Sequence, residues 1–322
     1  MNAPELSIVI VSFNTREILR ECLQAVYKFT TGITFEVIVV DNASQDGSPV
    51  MVREAFPQAR LVELNENVGF GMGNNAGVKA ARGRHLFLLN SDAVLLENTP
   101  LALSRHLQQH PDIACLGPQI ICPDGQLQLK AFGHLPSPWR LLMQSSGLAY
   151  LGLRIFEGVD GVRRVAPEMD VGWISGVCLC LRREDYLAMG GFDPRFFMYA
   201  EDVALCGQLH RKRGRIVLLD RFDVLHYGGA ASPDLNSRVR NAVWQQRHIL
   251  QVCQDEYGHY ACFVSTFAVT IGLLLRLVVA LALLPAQGVR QNIGLHTSRA
   301  RLLDILGWRT VPTSPQAAPR GG

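Results

Sequence analysis

The chain has 322 residues, 48% hydrophobic and 18% charged, with a net charge of +3. Such a composition excludes a disordered chain, and the length suits one large domain with an appendage. The charge is too mild for a nucleic-acid binder, and no basic run is interleaved with aromatics.

Strand and helix patterns alternate over the first 120 residues. "LSIVIVSF" (6–13) is a continuous Val/Ile-rich run that fits a strand buried on both faces. Thr15 is placed to cap the next helix, in which Ile18, Leu19, Cys22, Leu23 and Val26 recur at helical offsets. "FEVIVV" (35–40) is the second strand, followed by a helix near Pro49–Phe56. "ARLVEL" (59–64) is the third, a helix starts near Gly71, and "HLFLLN" (85–90) is the fourth strand. Repeated β-α units predict a parallel sheet with ligands beyond the carboxyl ends of its strands.

After Pro118 the order changes. "PQIICPDGQLQL" reads as a hairpin around Pro123-Asp124-Gly125, and 131–168 as a loop or lid. "VGWISGVCLCLRR" (171–183) reads as one strand, followed by a short helix ending at Gly190-Gly191. A loop leading into a helix then precedes a strand at 215–220. The eight cysteines include no C-x-x-C; Cys178 and Cys180 share a strand face, as buried reduced thiols do. The opening "MNAPELSIVIVSF" lacks a basic leader and runs straight into a strand, so a cytosolic location is expected.

Ala261–Leu284 carries one charge, Arg276, in 24 residues, enough to cross a membrane. Arg247 precedes it and Arg290, Arg299 and Arg301 follow, which would hold the tail rather than the main domain in the cytosol. A helix lying in the membrane interface, or a re-entrant one, is therefore favoured over a single span. A helix buried against the domain is the alternative.

Polar clusters close all four strands: Ser12-Phe13-Asn14, Asp41 through Asp46, Asn65-Glu66-Asn67 and Asn90-Ser91-Asp92. Each alone is ordinary turn chemistry; four at one sheet edge would converge on a crevice holding at least two carboxylates. "GMGNNA" (71–76) imitates a dinucleotide fingerprint, but "NENVG" intervenes where that motif needs a tight turn.

In order, "SIVIVSFN", "VIVVDNASQDGS", "NENVGFGMGNNAGVKAARGRHLFLLNSDAVL", "WISGVCLCLRRE" and "FFMYAEDVALCGQLHRKRG" resemble the family-2 inverting glycosyltransferases. The likeness is to their bacterial rhamnosyltransferase-like branch, which builds cell-surface polysaccharide. It covers about residues 5–230. It implies a GT-A type α/β fold for nucleotide-diphospho-sugar transfer, with a mostly parallel central sheet. The expected domains are 1–234, split into a nucleotide-binding half (1–117) and an acceptor-binding half (118–234), and a helical, membrane-associating region at 235–322.

By the same resemblance, Phe13 and Asn14 line the base pocket and Asp41 bonds the nucleoside. Ser44 and Asp46 complete the turn, with plain helix-start roles equally open. Asn67, Gly69 and Asn74 or Asn75 shape the floor under a dTDP- or UDP-linked sugar. Asp92 helps hold Mg²⁺ or Mn²⁺ on the diphosphate, with His226 as second ligand or a structural histidine. Val94 replaces the second aspartate of the family's D-x-D, which weakens the case for metal dependence. Asp202 is the candidate base and Glu201 positions the acceptor, the alternative being a helix-start pair on the dipole. Trp173 stacks on a sugar or packs in the core. Ala204 stands where relatives carry a third acid.

The expected acceptor is a glycan or lipid-linked glycan at the cytoplasmic membrane face. A nucleotidyltransferase would want a basic loop near the first strand, and only Arg16 is there. An inactive glycan-binding protein would not need Asp92 and Asp202.

Overall fold

The computed structural model describes residues 3–128, 131–146, 167–228, 235–283 and 293–307. The chain divides into two compact units. The first comprises residues up to Leu135, Val159–Phe197 and Glu201–Ala230, and the second Pro136–Gly158, Met198–Ala200 and the chain from Ala231.

The first unit is built on one mixed sheet. β1 (Leu6–Ser12) is buried along its whole length, as its unbroken apolar run requires. It pairs in parallel with β2 (Phe35–Asp41) on one side and β4 (His85–Asn90) on the other, and β3 (Arg60–Glu63) extends the sheet beyond β2. Helices α1 (Arg16–Phe29), α2 (Ser48–Ala55) and α3 (Phe70–Ala80) alternate with these strands. α1 buries Leu19, Cys22, Leu23 and Val26, the predicted stripe, with Ile18 half-buried. Thr15 stands at its N-cap without capping it; its hydroxyl instead donates to Ser91 Oγ at 3.0 Å. α3 lies close over the sheet. A Cβ on Gly77 would stand 2.4 Å from Val9 Cγ1, so the fingerprint-like glycines serve helix-on-sheet packing.

Past β4 the chain turns at Ser91-Asp92, forms β5 (Ala93–Leu95) and α4 (Thr99–Gln109), and re-enters the sheet as β6 (Ile113–Ile121). The turn at Pro123-Asp124-Gly125 forms, and among the described residues its return arm makes one bridge, Leu127 to Ile121. The expected strand at 171–183 is three pieces, β8 (Glu168–Val171), β9 (Trp173–Ile174) and β10 (Cys178–Arg182). It breaks at Gly172, where a Cβ would lie 2.4 Å from Leu135 N, and at Ser175-Gly176. β9 pairs with β7 (Phe132–Gly133), and β10 runs antiparallel between β4 and β6. After α6 (Arg183–Ala188) and α7 (Glu201–Lys212), β11 (Arg215–His226) is longer than the predicted 215–220. A register shift after Leu219 lets its far end pair with β5, Ala93 opposite His226. All eight cysteines are free, and burial raises the thiols of Cys178 and Cys180.

In the second unit, α5 (Pro138–Ser146), α8 (Leu235–Leu283) and α9 (Ile293–Ile305) pack together around Leu141, Cys253, Val269 and Leu273. α8 is two helices merged at Gly258, whose φ of 85° is left-handed. Residues 236–278 are long and apolar enough to cross a membrane. Beyond Gly258, Ser265, Val269 and Leu273 are buried while Tyr260, Phe263, Phe267 and Val278 are exposed. The lid expected within 131–168 falls partly on 147–166, and Arg290 lies in the tail; both are outside the described residues.

Candidate active site

At the carboxyl edge of the sheet, the polar clusters after β1, β2 and β3 are hydrogen-bonded to one another. Asp41 Oδ2 accepts from Ser44 N at 2.9 Å, and Ser44 Oγ accepts from Asn14 N at 2.9 Å. Asn14 Oδ1 accepts in return from Gln45 N at 2.7 Å. Asn14 and Ala43 have φ of 54° and 65°, a conformation that costs a non-glycine residue about 1–3 kcal/mol and concentrates at functional sites. Asp41 is buried, and its Oδ1 has no hydrogen-bond partner among the described residues, so one acceptor is left for a ligand donor. Phe13, directly after β1 and next to Asn14 of this cluster, is 44% exposed. Asp46 is a turn residue: Arg16 N and Ser48 N and Oγ occupy its two oxygens. Burial opposes its charge, but the Ser48 hydroxyl and these N–H groups hold its carboxyl below the usual range.

Asn67 is held by Asn42, a residue given no role from sequence. Asn42 Nδ2 donates to Asn67 Oδ1 at 2.9 Å, and its Oδ1 accepts from Val68 N at 2.9 Å. An asparagine directly after a buried strand was the one available signal. Gly69 has φ of 85°, and a Cβ there would sit 2.1 Å from Phe197 O. Its lack of a side chain therefore serves backbone packing, where an approach to ligand was expected. Asn74 keeps its Oδ1 without a hydrogen-bond partner among the described residues, whereas the Asn75 amide is fully engaged. Asn74 is buried and donates to Phe70 O, while Asn75 bonds Phe192 N and O and the Tyr186 hydroxyl. As a nucleotide ligand Asn75 would have to give those up.

Asp92 and His226 do meet. The β5–β11 pairing places His226 opposite Ala93, and its Nε2 lies 3.1 Å from Asp92 Oδ1. Burial, then the Asp92 charge, pushes the nearby Cys22 thiol up. A hard carboxylate oxygen and an imidazole nitrogen 3.1 Å apart are donors that would suit a divalent cation. Among the described residues no third His, Cys, Asp or Glu joins them, so a bound ion would take its other ligands from elsewhere, such as phosphate oxygens or water. Val94 is committed to β5, paired with Leu225.

Glu201 and Asp202 open α7. Asp202 Oδ2 accepts from Gly176 N at 2.9 Å and Oδ1 from Val203 N at 2.8 Å. The residue after Gly176 is tied to β4 through Asn90 N donating to Val177 O, two residues before Asp92. The acid pair and Asp92 thus share one sheet edge. Burial raises both carboxyls; for Glu201 the neighbouring Asp202 charge adds to it, and for Asp202 the backbone N–H groups oppose it. Glu201 Oε2 is buried without a hydrogen-bond partner among the described residues. Trp173 is half-buried on the core, its Nε1 donating to His134 O at 3.1 Å.

A parallel sheet with an acidic carboxyl edge, continued by antiparallel strands, is the GT-A arrangement, and solved structures show the same fold. The mannosyltransferase PcManGT from Pyrobaculum calidifontis, in complex with GDP-Man and Mn²⁺, superposes with a TM-score of 0.55 at 17% identity. The match covers 96% of this chain and 84% of that one. The glycosyl transferase family 2 model matches residues 7–152. Residues 7–152 thus resemble a family 2 domain, and that match with the glycosyltransferase-named relatives supports a glycosyltransferase. It is 29% identical over 236 residues to an N-acetylglucosaminyl-diphospho-decaprenol L-rhamnosyltransferase of Mycobacterium tuberculosis, covering 69% of this chain and 76% of the relative. It is 26% identical over 233 residues to the O-antigen biosynthesis protein RfbC of Myxococcus xanthus, covering 71% of this chain and 18% of that protein.

Proposed function

We propose that the chain is an inverting, divalent-cation-assisted glycosyltransferase of cell-surface polysaccharide synthesis. The sugar, with L-rhamnose the first candidate, comes from a dTDP- or UDP-linked donor and goes to a glycan or lipid-linked glycan. The observation carrying this reading is the placement of the Asp92–His226 pair and of Asp202 along one sheet edge. The rhamnosyltransferase relative supports the sugar and the lipid-linked acceptor.

In this reading Phe13 stacks on the base and Asp41 accepts from the nucleoside, with Asn14, Asn42 and Asn67 holding that pocket's shape. Asp92 and His226 would hold Mg²⁺ or Mn²⁺, which neutralises charge on the leaving nucleoside diphosphate. Asp202 takes the proton of the acceptor hydroxyl as that oxygen bonds the anomeric carbon. The bond from that carbon to the diphosphate oxygen breaks on the opposite face, so configuration inverts. Two backbone N–H groups fix the Asp202 carboxylate, and each of its oxygens retains a lone pair for that proton. Residues 1–117 form the donor half, 118–234 the acceptor half, and 235–322 the membrane-associating region.

The exposed Tyr260, Phe263, Phe267 and Val278 on α8 support a helix lying in the cytoplasmic membrane interface. The test is transfer from dTDP-L-rhamnose and UDP-sugars to a lipid-linked acceptor, with product configuration read by NMR. Inverted product supports the reading; a product of retained configuration refutes it.

A further inference from the structure

Resting on that reading of the cation site, the geometry points to Gln128 as a positioning residue: we propose that it sets the tautomer and orientation of His226. Gln128 Oε1 lies 2.6 Å from His226 Nδ1, on the far side of the ring from Asp92. A neutral imidazole carries one proton on two nitrogens. With the proton on Nδ1 and donated to Gln128, the Nε2 lone pair faces Asp92 Oδ1, an arrangement of two donor atoms that a cation satisfies. With the proton on Nε2, the ring would donate to Asp92 and could not ligate. With its Oε1 turned to Nδ1, as it stands here, Gln128 favours the ligand form, as a hydrogen bond to the far ring nitrogen does for metal-bound histidines.

The backbone places Gln128 firmly. The turn after β6 closes through Gly125 N to Cys122 O and Cys122 N to Gln126 O, at 2.9 and 2.8 Å. Gln128 N then donates to Ile120 O at 2.9 Å. His226 is held from the opposite side by its pairing with β5, and Tyr227 N donates to Asp92 O at 3.0 Å. The three side chains of the row come from a hairpin arm, a strand end and a turn, 98 and 134 residues apart in sequence. Sequence spacing could not have joined them.

The experiment measures Mn²⁺ affinity by paramagnetic resonance, with saturating dTDP or UDP and at one pH, in the whole protein. Gln128→Ala is expected to weaken Mn²⁺ binding about 10–100-fold, and Gln128→Glu, which still accepts the Nδ1 proton, to restore it. Unchanged affinity in Gln128→Ala, with His226→Ala weakened, overturns the role of Gln128. Unchanged affinity in His226→Ala overturns the cation-site reading beneath it. Should Gln128→Ala fail to fold, ¹⁵N chemical shifts of wild-type His226 with Mg²⁺ and nucleotide decide: a proton on Nδ1 supports the proposal, and one on Nε2 overturns it.

Discussion

Asp202→Asn separates the chemistry of the acid pair from its structural part. The carboxylate faces two backbone donors, Gly176 N at 2.9 Å and Val203 N at 2.8 Å. Asparagine keeps one acceptor and turns an NH₂ toward the other donor, leaving one N–H unpaired at a cost of about 1–3 kcal/mol. Against this, the substitution removes a negative charge that burial disfavours and that lies beside Glu201. The two effects partly cancel, so the fold should survive with a modest change in Tm. Catalysis has no such compensation. A positioned general base contributes ~10²–10⁴-fold, about 3–5 kcal/mol of barrier. Steady-state release of nucleoside diphosphate, read with calorimetric binding of dTDP and UDP, should show kcat falling by that factor and nucleotide affinity unchanged. A folded variant that turns over near the wild-type rate would refute the base assignment.

Glu201→Gln should raise Tm at pH 8. The buried Glu201 carboxyl holds its proton to higher pH than it does in the unfolded chain, so stability falls as pH climbs from the unfolded value through the folded one. The gain should vanish about a unit below the free Glu value of about 4.3, where both states are protonated; thermal melts across pH check it, and a gain independent of pH contradicts it. Gly77→Ala drives a methyl to 2.4 Å from Val9 Cγ1 and 2.9 Å from Val40 Cγ2. Overpacking of about 1–3 kcal/mol should outweigh the better helix propensity of alanine and lower Tm by a few degrees. Phe263→Glu/Phe267→Glu, on the exposed face of α8, should reduce binding to lipid vesicles at least about a hundredfold, since each buried Phe contributes about 1.5–3 kcal/mol. Nucleotide binding should not change in that variant, and undiminished vesicle binding would remove the interfacial role of this face.

The strands that build the donor half were legible because β1, β2 and β4 are largely buried on both faces and read as mostly apolar runs. The strand ending at Asn90 was read to the residue, since the run stops where the chain must turn. Legibility failed where the path depends on distant backbone. Segment 171–183 keeps an apolar pattern through Gly172, yet Leu135 N packs where any side chain at that position would stand. β11 outran its predicted end because β5 offers it a second partner, a gain invisible in its own residues.

At the candidate site, the family resemblance rather than residue type alone named Asp92, His226 and Asp202. It could not show that Asn75 spends its amide on Phe192 and Tyr186, or that Asn42 braces Asn67. Side-chain amides bond across the fold as readily as they bond ligand, and only the fold tells which.

The central claim is a donor site in which Asp92 helps hold a divalent cation on a nucleoside diphosphate. Calorimetric titration of dTDP and UDP, each with Mn²⁺ and with chelator, in wild type and Asp92→Ala, tests it most directly. Binding that requires the cation and is lost in Asp92→Ala is the predicted result. Binding of neither nucleotide, or equal binding with chelator and in the variant, would contradict it.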